Sequence, residues 1–422
     1  MTAPTTPSTP RDAGRPRVLH AVTASVSLGL MRGQLRYLRE AGFEVAAVSA
    51  PGEQLEALRE AEGVPGFDVP MERGVALLVD PVSLWKLWQL MRRFRPLMTN
   101  VGTTKAGLLA GLAARWADVP CRVYTLRGLR FETATGFKRR VMKLLEKIAC
   151  DSAHLVICVS ESVRRNAVEQ GLVDAKRALV LGHGSSNGVD AARFAPSEER
   201  RRQAQALRGQ LGIPHDAPVI GFVGRINRDK GIPELVRAFA RLRLSHPAVR
   251  LLLLGDFESL DPMPHDTRGM LDTDDHILCP GHVQDIAPYY HLMDVVCLPS
   301  HREGFPNVVL EAQAAARPVV ATGVTGCSDA IEHGVTGLLV PPNDLNALTD
   351  ALERMLTDPP RAQRLGQAGR ERVLRDFRPE AIWEALVEQY RALLKERGLP
   401  LPVPEKREAP EAVKTDAGVA AS

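Results

Sequence analysis

Short apolar runs alternate with amphipathic helical segments along this chain, and the alternation starts a second time near its middle. In the first half, strand-like runs at 17–22 and 44–49 flank a helical segment at 33–41. In the second half, a strand-like run at 219–224 is followed by a helical segment at 232–244. This pattern is typical of a parallel sheet with helices on both faces. The sequence therefore predicts an α/β protein with two doubly wound, Rossmann-like domains that face each other across a cleft.

The domain boundaries follow from the same pattern. A length of 422 residues is sufficient for two domains of this type. We predict the first domain at 16–190 and the second at 191–378. A last helical segment at 379–397 carries an apolar face that suits packing back onto the first domain. Residues 1–15 and 401–422 are poor in apolar runs, and we expect them to be disordered.

Charge is distributed unevenly between the two predicted domains. Residues 16–190 contain 24 Lys and Arg against 17 Asp and Glu, whereas residues 191–400 contain 25 against 28. The basic first half predicts an anionic partner. Basic residues interleaved with stacking aromatics are missing, which argues against nucleic acid.

Cysteine usage and apolar run length bear on the cellular compartment. The six cysteines are scattered without the spacing of a metal clamp or a redox motif, which is typical of reduced thiols in the cytosol. No apolar run reaches the ~18 residues that a membrane span requires. Residues 1–15 lack the apolar core of a secretory signal. We therefore expect a cytoplasmic protein.

Two glutamates eight residues apart, Glu303 and Glu311, lie on either side of a predicted helix start. Gly304 and Pro306 place the first glutamate on a loop, and the helix is predicted at 308–316. Unpaired N–H groups at a helix start bind phosphate, whereas carboxylates accept hydrogen bonds from sugar hydroxyls. One acid at each end of a phosphate site favours a nucleotide-sugar as the ligand. The alternative is a solvated helix whose acidic first turn complements the helix dipole.

A glycine-containing turn at 221–231 supplies the matching cations. It follows a predicted strand, and Gly224 gives Arg225 and Lys230 room to reach over the edge of the sheet. Two neighbouring cations can neutralise a diphosphate, although ordinary surface cations are the alternative. A further turn at 281–286 offers backbone groups to a nucleobase. The three segments together are more specific than any one of them.

In these motifs the chain resembles glycosyltransferase family 4, whose members are retaining enzymes of the GT-B architecture. The likeness extends over roughly residues 17–395 and is strongest in the second half. The first half resembles the transferases of capsule and exopolysaccharide synthesis. The segments that carry the resemblance are 224–231, 281–283, 303–312, 317–322 and 334–340, with 30–35, 124–130, 159–162 and 185–190 in the first half.

The resemblance implies a role for each candidate residue. Arg225 and Lys230 would bind the donor diphosphate, Glu303 the hydroxyls of the donor sugar, and Glu311 the ribose. Fixed cations would stabilise the leaving group, so we expect no metal ion and no other cofactor. The other donor-binding positions implied are Gly224, Val283, Gly304, Phe305, Asn307 and Val308.

The chain departs from the family pattern at Arg127. Many relatives carry a histidine at this position, near the reacting sugar. We interpret Arg127 as a candidate catalytic residue that stabilises charge, with an ordinary surface arginine as the alternative.

The function that the resemblance implies is the transfer of a hexosyl or N-acetylhexosaminyl group. The donor would be a UDP- or GDP-sugar, and the acceptor a glycan on a polyprenyl diphosphate. Alternatives on the same fold are a nucleotide-sugar epimerase, a sucrose-type synthase and a non-catalytic sugar-nucleotide-binding subunit. A dinucleotide-dependent oxidoreductase is disfavoured, since residues 21–29 lack a Gly-x-Gly-x-x-Gly turn.

Two further signals compete with this interpretation. Asp272 and Asp274 have the spacing that metal-dependent transferases use, but they occur in a polar segment that we interpret as a solvated acidic loop. The basic amphipathic segment 137–148, together with Trp85 and Trp88, suggests peripheral contact with anionic lipid at the inner face of the cell membrane. An ordinary helix with a solvated basic face is the alternative for this segment.

Overall fold

Two parallel sheets organise the chain, and helices cover both faces of each sheet. The computed structural model describes residues 14–72, 74, 78–258 and 261–404. The prediction of two doubly wound α/β domains is therefore confirmed. The termini that the sequence predicts to be disordered lie largely outside the described residues.

The strands of the first sheet, as far as the described residues show, are β1 (Arg17–Ala21), β2 (Glu44–Ser49), β3 (Gly66–Asp68), β4 (Met98–Gly102), β5 (Cys121–Leu126), β6 (Leu155–Cys158) and β7 (Ala178–Val180). Their order across the sheet is β3-β2-β1-β4-β5-β6-β7, and neighbouring strands are parallel. The winding changes direction between β1 and β4. Ligands of such sheets bind at this switch point, beyond the carboxyl ends of the strands.

The helices of the first domain connect these strands, because parallel neighbours require a crossover that a helix usually provides. Two short 3₁₀ helices, Ser25–Met31 and Ala175–Arg177, complete the connections. The α-helices are α1 (Gln34–Glu40), α2 (Glu53–Glu62), α3 (Val79–Phe94), α4 (Thr104–Trp116), α5 (Gly136–Ser152) and α6 (Glu161–Glu169).

The second sheet repeats this arrangement. Its strands are β8 (Val219–Val223), β9 (Arg250–Leu254), β10 (Ile277–Gly281), β11 (Val295–Leu298), β12 (Val319–Thr322) and β13 (Leu338–Val340). Their order is β10-β9-β8-β11-β12-β13, so the switch point lies between β8 and β11. The central strands are almost wholly apolar because both of their faces are covered by helices.

The helices of the second domain have the apolar spacing that packing on a sheet requires. In the helix that follows β8, Ile232, Leu235, Val236 and Phe239 are all buried at helical spacing. The α-helices of this half are α7 (Glu198–Gln210), α8 (Ile232–Ser245), α9 (His265–Thr273), α10 (Ala287–Leu292), α11 (Asn307–Ala314), α12 (Cys327–Ala330), α13 (Leu345–Thr357), α14 (Pro359–Asp376) and α15 (Pro379–Glu396).

The last helix, α15, follows the second domain in the chain but packs on the first. Its residues Ile382, Leu386 and Leu394 are buried in one cluster with residues of β1 and β2. The hydroxyl of Tyr390 is 2.7 Å from the Asn100 amide nitrogen, which donates to it from β4. Because α15 covers the first sheet while its chain connects to the second, it ties the two domains together.

Helix α5 of the first domain carries a buried acid. Glu146 is 1% exposed, and its carboxyl group accepts a 2.5 Å hydrogen bond from the hydroxyl of Tyr124 on β5. Burial disfavours the charged form and raises the pKa of Glu146 to about 7. The ordinary pKa of this carboxyl, expected in the unfolded chain, is 4.5. At pH values between 4.5 and about 7, Glu146 is therefore protonated in the folded protein and ionised in the unfolded chain.

We predict that the free energy of unfolding falls as the pH rises from about 5 to 8, since Glu146 must then lose a proton that the fold retains. The pKa of Glu146 in the folded protein is about 2.5 above its ordinary value, so the free energy of unfolding should fall by about 3 kcal/mol over this pH range. The variant Glu146→Gln has no carboxyl group to titrate at this position. Its free energy of unfolding, measured with urea at several pH values, should therefore depend less on pH than that of wild type. An unchanged slope in the variant would contradict the assignment. Glu388→Gln, at an exposed position on α15, serves as the control.

Candidate active site

The candidate site forms where the carboxyl ends of β8 and β11 face the first domain. The loop before α8 and the loop after β11 are in close contact at Gly231. A Cβ atom at this glycine would lie 2.0 Å from the carbonyl oxygen of Pro299, and its φ of 71° is left-handed. Only glycine fits there, and the contact brings the basic turn beside the acidic segment.

Lys230 and Glu303 form an ion pair in this place. The Lys230 Nζ is 2.5 Å from Oε1 of Glu303, and the two side chains are 19% and 11% exposed. Ser300 donates a 2.7 Å hydrogen bond to the same oxygen. Since both contacts go to Oε1, the geometry leaves Oε2 as the acceptor for a hydroxyl group of a ligand.

Arg225 is placed differently from Lys230. Its guanidinium pairs with Glu258, an acid in the segment after β9 that no sequence motif singled out. Asn227 donates a 2.8 Å hydrogen bond to the same carboxylate. The Arg225 side chain is 50% exposed, so donors of its guanidinium remain available for a ligand. The structure thus joins Lys230 to Glu303 directly, while Arg225 lies beside a different acid.

Further cations converge on the cleft from both domains. Partial desolvation and the nearby guanidinium groups of Arg302 and Arg225 lower the pKa of Arg130, which follows β5 in the first domain. Arg302, next to Glu303, forms an ion pair with Asp229. Sequence patterns did not reveal Arg130 and Arg302, although each lies within three residues of a predicted site residue. Such a cluster of guanidinium groups suits a polyanion.

The helix start predicted to bind phosphate is that of α11. It begins at Asn307, one residue before the predicted start, and ends at Ala314, two residues before the predicted end. Its second turn places Glu311 beside Tyr290, whose hydroxyl donates a 2.7 Å hydrogen bond to Oε2. Burial raises the pKa of Glu311. The backbone N–H groups at Asn307 and Val308 belong to the first turn, where donors have no partner within the helix.

Phe305 and Asn307 also contact groups outside the loop. The ring of Phe305 packs against Phe377, with 5.4 Å between ring centroids. Ser185, in the loop after β7, donates a long 3.4 Å hydrogen bond to the side-chain oxygen of Asn307. The loop that carries Glu303 is therefore held by contacts on both sides of the cleft.

Gly304 is a point of very close approach between the two domains. A Cβ atom here would lie 1.9 Å from the carbonyl oxygen of Arg127 and 3.1 Å from the Cα of Gly128. The hydroxyl of Ser160 donates a 2.9 Å hydrogen bond to the Gly304 carbonyl. Any larger residue would separate the domains, so the glycine fixes the turn after β5 against Glu303.

Arg127 is not a surface arginine. Its Nε and Nη1 atoms are buried and have no hydrogen-bond partner among the described residues, although the residue as a whole is half-buried. Burial lowers the pKa of Arg127 to about 10, which still leaves the group charged at neutral pH. Burial and the Arg127 charge together lower the pKa of His20 to about 3, so this histidine is neutral.

The remaining donor-binding candidates lie at the edge of the second sheet. The N–H of Gly224 bonds to the carbonyl of Leu254, and the N–H of Gly255 bonds to the carbonyl of Gly281, both at the ends of adjacent strands. Half-buried Val283 follows this row of turns. The turns after β8, β9 and β10 therefore lie side by side, next to Arg225.

The acidic residues near the end of α9 have local partners. Asp272 pairs with Arg268 at 2.9 Å, and Asp274 pairs with Arg243 at 2.7 Å. The interpretation of a solvated loop is wrong for Asp272, which lies in the last turn of α9. Within the described part of the chain, no group of three or more His, Cys, Asp or Glu residues is arranged to hold a metal ion.

Comparisons with known proteins agree with this architecture. The family model described as "Glycosyl transferases group 1" matches residues 203–372, and that described as "Glycosyl transferase 4-like domain" matches residues 30–184. Together the two matches cover most of both domains.

Curated relatives of similar sequence are also glycosyltransferases. The chain is 37% identical over 380 residues to the capsular polysaccharide biosynthesis glycosyltransferase CapM of Staphylococcus aureus, covering 90% of this chain and 98% of the relative. It is 28% identical over 305 residues to the UDP-Gal:alpha-D-GlcNAc-diphosphoundecaprenol alpha-1,3-galactosyltransferase of Escherichia coli, covering 70% of this chain and 76% of the relative.

Solved structures share the fold at low sequence identity. A sucrose-phosphate synthase from Thermosynechococcus elongatus superposes with a TM-score of 0.75 at 23% identity, covering 90% of this chain and 100% of that one. Anabaena HepE in complex with UDP-glucose also gives a TM-score of 0.75, at 21% identity, covering 89% of this chain and 99% of that one. From these matches and the two facing sheets, the chain belongs to glycosyltransferase family 4 and has the GT-B architecture.

Proposed function

We propose that this glycosyltransferase moves a hexosyl or N-acetylhexosaminyl group from a nucleotide-sugar to a lipid-linked glycan in surface polysaccharide synthesis. The observation that supports this most directly is the Lys230–Glu303 pair beside the start of α11. In this pair, a cation suited to phosphate and a carboxylate suited to sugar hydroxyls are in direct contact. In our proposal the donor therefore lies with its phosphates toward α11 and Lys230 and its sugar toward Glu303.

The chemistry separates an anionic leaving group from the anomeric carbon of the sugar. As the bond from the anomeric carbon to the phosphate oxygen breaks, negative charge grows on the nucleoside diphosphate. Lys230, Arg225 and Arg302 are the cations proposed to stabilise that charge, so we propose that no metal ion is required. The acceptor hydroxyl attacks from the same face and gives its proton to the departing phosphate oxygen. The new glycosidic bond then retains the anomeric configuration.

The nucleoside part would lie along the turns after β8, β9 and β10. Val283 is proposed to contact the base, and Glu311 to accept hydrogen bonds from the ribose hydroxyls. The HepE structure is a complex with UDP-glucose, which supports a uridine nucleotide as the first donor to test. GDP-sugars are the second donor class in this proposal.

We predict that Glu303→Gln and Lys230→Met each lower the transfer rate by about 100-fold or more, because each removes a charge that acts on the donor. Transfer is measured with a radiolabelled nucleotide-sugar and an extracted lipid-linked acceptor. Arg237→Ala is the matched control, since Arg237 forms an exposed 2.9 Å ion pair with Asp266 on the solvent side of α8.

Two results would refute this proposal. Wild-type turnover by either site variant would remove the assigned roles of Lys230 and Glu303. Conversion of the labelled donor in the absence of any acceptor would instead indicate an epimerase. Thermal unfolding of every variant verifies that the loss of transfer does not come from loss of the fold.

We predict that Glu311→Gln raises the Kd for UDP by about tenfold, since a charged acceptor is replaced by a neutral one. The comparison ligand is 2′,3′-dideoxy-UDP, which lacks both ribose hydroxyls. Calorimetric titration should show that the analogue binds wild type more weakly than UDP does, and that the variant no longer distinguishes the two. Glu371→Gln, on the exposed side of α14, is the control. Continued discrimination by Glu311→Gln would place the ribose elsewhere.

The acceptor side of the proposal rests on the first domain. The name of the Escherichia coli relative describes an acceptor on diphosphoundecaprenol, and a basic domain suits an acceptor that carries a diphosphate. Among the described helices, none combines the length and the apolar character that crossing a membrane requires. We propose that the protein works in the cytoplasm and meets the lipid-linked acceptor at the inner face of the cell membrane.

Helix α5 is the proposed membrane-contacting element. Phe137 and Leu144 on this helix are 79% and 59% exposed, and Trp85 on α3 is 55% exposed. Exposed apolar side chains beside lysine and arginine are typical of helices that lie at the interface of an anionic bilayer. Packing on the sheet therefore leaves the basic, apolar side of α5 available to lipid.

We predict that the protein co-migrates with anionic liposomes in flotation, and that replacing Lys138, Arg139, Arg140 and Lys143 with glutamine abolishes the co-migration. Each basic residue near the surface contributes about 1 kcal/mol, so four changes give a large effect. The control replaces four exposed arginines of the second domain. The control positions are Arg201, Arg202, Arg237 and Arg241. If the wild-type protein stays with the soluble fraction, the proposal that α5 contacts the membrane is wrong.

A further inference from the structure

The guanidinium of Arg127 is a charge that the fold itself does not neutralise. Its Nε and Nη1 atoms are inaccessible to solvent, and within the described residues neither has a hydrogen-bond partner. The described ion pairs include none to Arg127. Removing a charge from water is costly unless it is paired and hydrogen-bonded. Because the residue as a whole is only half-buried, the part of the guanidinium that is still accessible can meet an anion that arrives with the ligand.

The surroundings of Arg127 combine uncharged polar groups with apolar side chains. The side chain lies against Gly102 at the end of β4, where a Cβ atom would be 3.0 Å from Nε. It borders a small cavity that is lined by first-domain residues and by Leu386 of α15. The other polar groups that line this cavity are hydroxyls and amides, none of which carries a charge that would neutralise Arg127. They belong to Gln34, Asn100, Thr125, Ser185 and Ser186.

The donor diphosphate has its own cations elsewhere. Arg225, Lys230 and Arg302 lie on the second domain near the start of α11. Arg127 belongs to the first domain and lines a small cavity to which none of these three cations contributes. A guanidinium can bind either a carboxylate or a phosphate. Because the diphosphate already has three cations on the second domain, an anion at Arg127 is expected on the sugar part of the donor, where a carboxylate is the acidic group.

Two contacts relate Arg127 to the donor sugar. Its backbone carbonyl packs against Gly304, which directly follows Glu303 in the chain. Ser185, which lines the same cavity as the Arg127 side chain, donates a hydrogen bond to Asn307 at the start of α11. Glu303 is the residue to which the proposed function assigns the sugar hydroxyls. A group bound by Arg127 is therefore adjacent to the transferred sugar, on the side of the first domain.

We propose that Arg127 binds the carboxylate of a hexuronic acid, so that the preferred donor is a nucleotide-linked uronic acid rather than a neutral sugar nucleotide. This inference rests on the proposed function and narrows its donor class. The guanidinium acts as a specificity determinant. A uronic acid neutralises its charge, whereas a neutral sugar, with a hydroxymethyl group in place of the carboxylate, leaves that charge buried and unpaired.

The test compares three ligands by calorimetric titration: UDP, UDP-glucose and UDP-glucuronic acid. If UDP does not bind, the corresponding guanosine ligands with mannose and mannuronic acid are used. Wild type should bind the uronic acid nucleotide at least about tenfold more tightly than the neutral one. In Arg127→Gln the ratio of the two affinities should fall to about one. Arg115→Gln, an exposed arginine on α4, should keep the wild-type ratio.

A second measurement separates ligand binding from a structural role. Since Arg127→Gln removes an unpaired buried charge, its thermal midpoint without ligand should rise above that of wild type. A lower midpoint would mean that Arg127 stabilises the free protein, which would overturn its role as a site awaiting an anion.

Each binding outcome decides the matter. Equal affinity of wild type for the neutral and acidic nucleotides overturns the inference while the proposed function stands. An equal loss of affinity for all three ligands in Arg127→Gln also overturns it, because the anion would then be the diphosphate. If no uridine or guanosine diphosphate binds, the proposed function fails and this inference fails with it.

Discussion

The close contact at Gly304 is the constraint on which the site depends. The glycine lets the carbonyl of Arg127 approach to a distance that no side chain would permit, and Ser160 adds a hydrogen bond across the same boundary. Because Gly304 directly follows Glu303, the first domain's turn after β5 and the second domain's acidic loop become one surface. Together with the Ser185–Asn307 contact and the packing of α15, the contact at Gly304 brings the charges of the two domains to one cleft.

The cations on this surface differ in whether an acid of the protein neutralises them. Lys230 shares its charge with Glu303, and Arg225 shares its charge with Glu258, so both are stabilised before a ligand arrives. Arg127 has no such acid among the described residues. Paired cations keep the fold stable in the free state, whereas an unpaired one costs stability and is expected where function requires it.

Sequence patterns predicted the secondary structure best where the pattern was long and regular. The strand β2 begins and ends where it was predicted, and β1, β8, α8 and α15 each begin at the predicted residue and end within one residue of the predicted end. The short helix α11 was placed one residue late at its start and two residues late at its end, since Ala-rich segments give no clear stop signal. Arg302 and Glu258 were missed because single charged residues in loops have no pattern of their own, and Arg130 was given no role although it ends the resembling segment 124–130.

The sequence by itself determined that two α/β units occur in tandem and that a basic turn and two glutamates share the second one. Local periodicity and turn chemistry carry that information. Only the tertiary structure decided which charges meet: Arg225 with Glu258, Lys230 with Glu303, and Arg127 with no acid among the described residues. It also decided that α15 returns to the first sheet. The physical reason is that burial and pairing depend on which distant segments come together, which no local window of sequence contains.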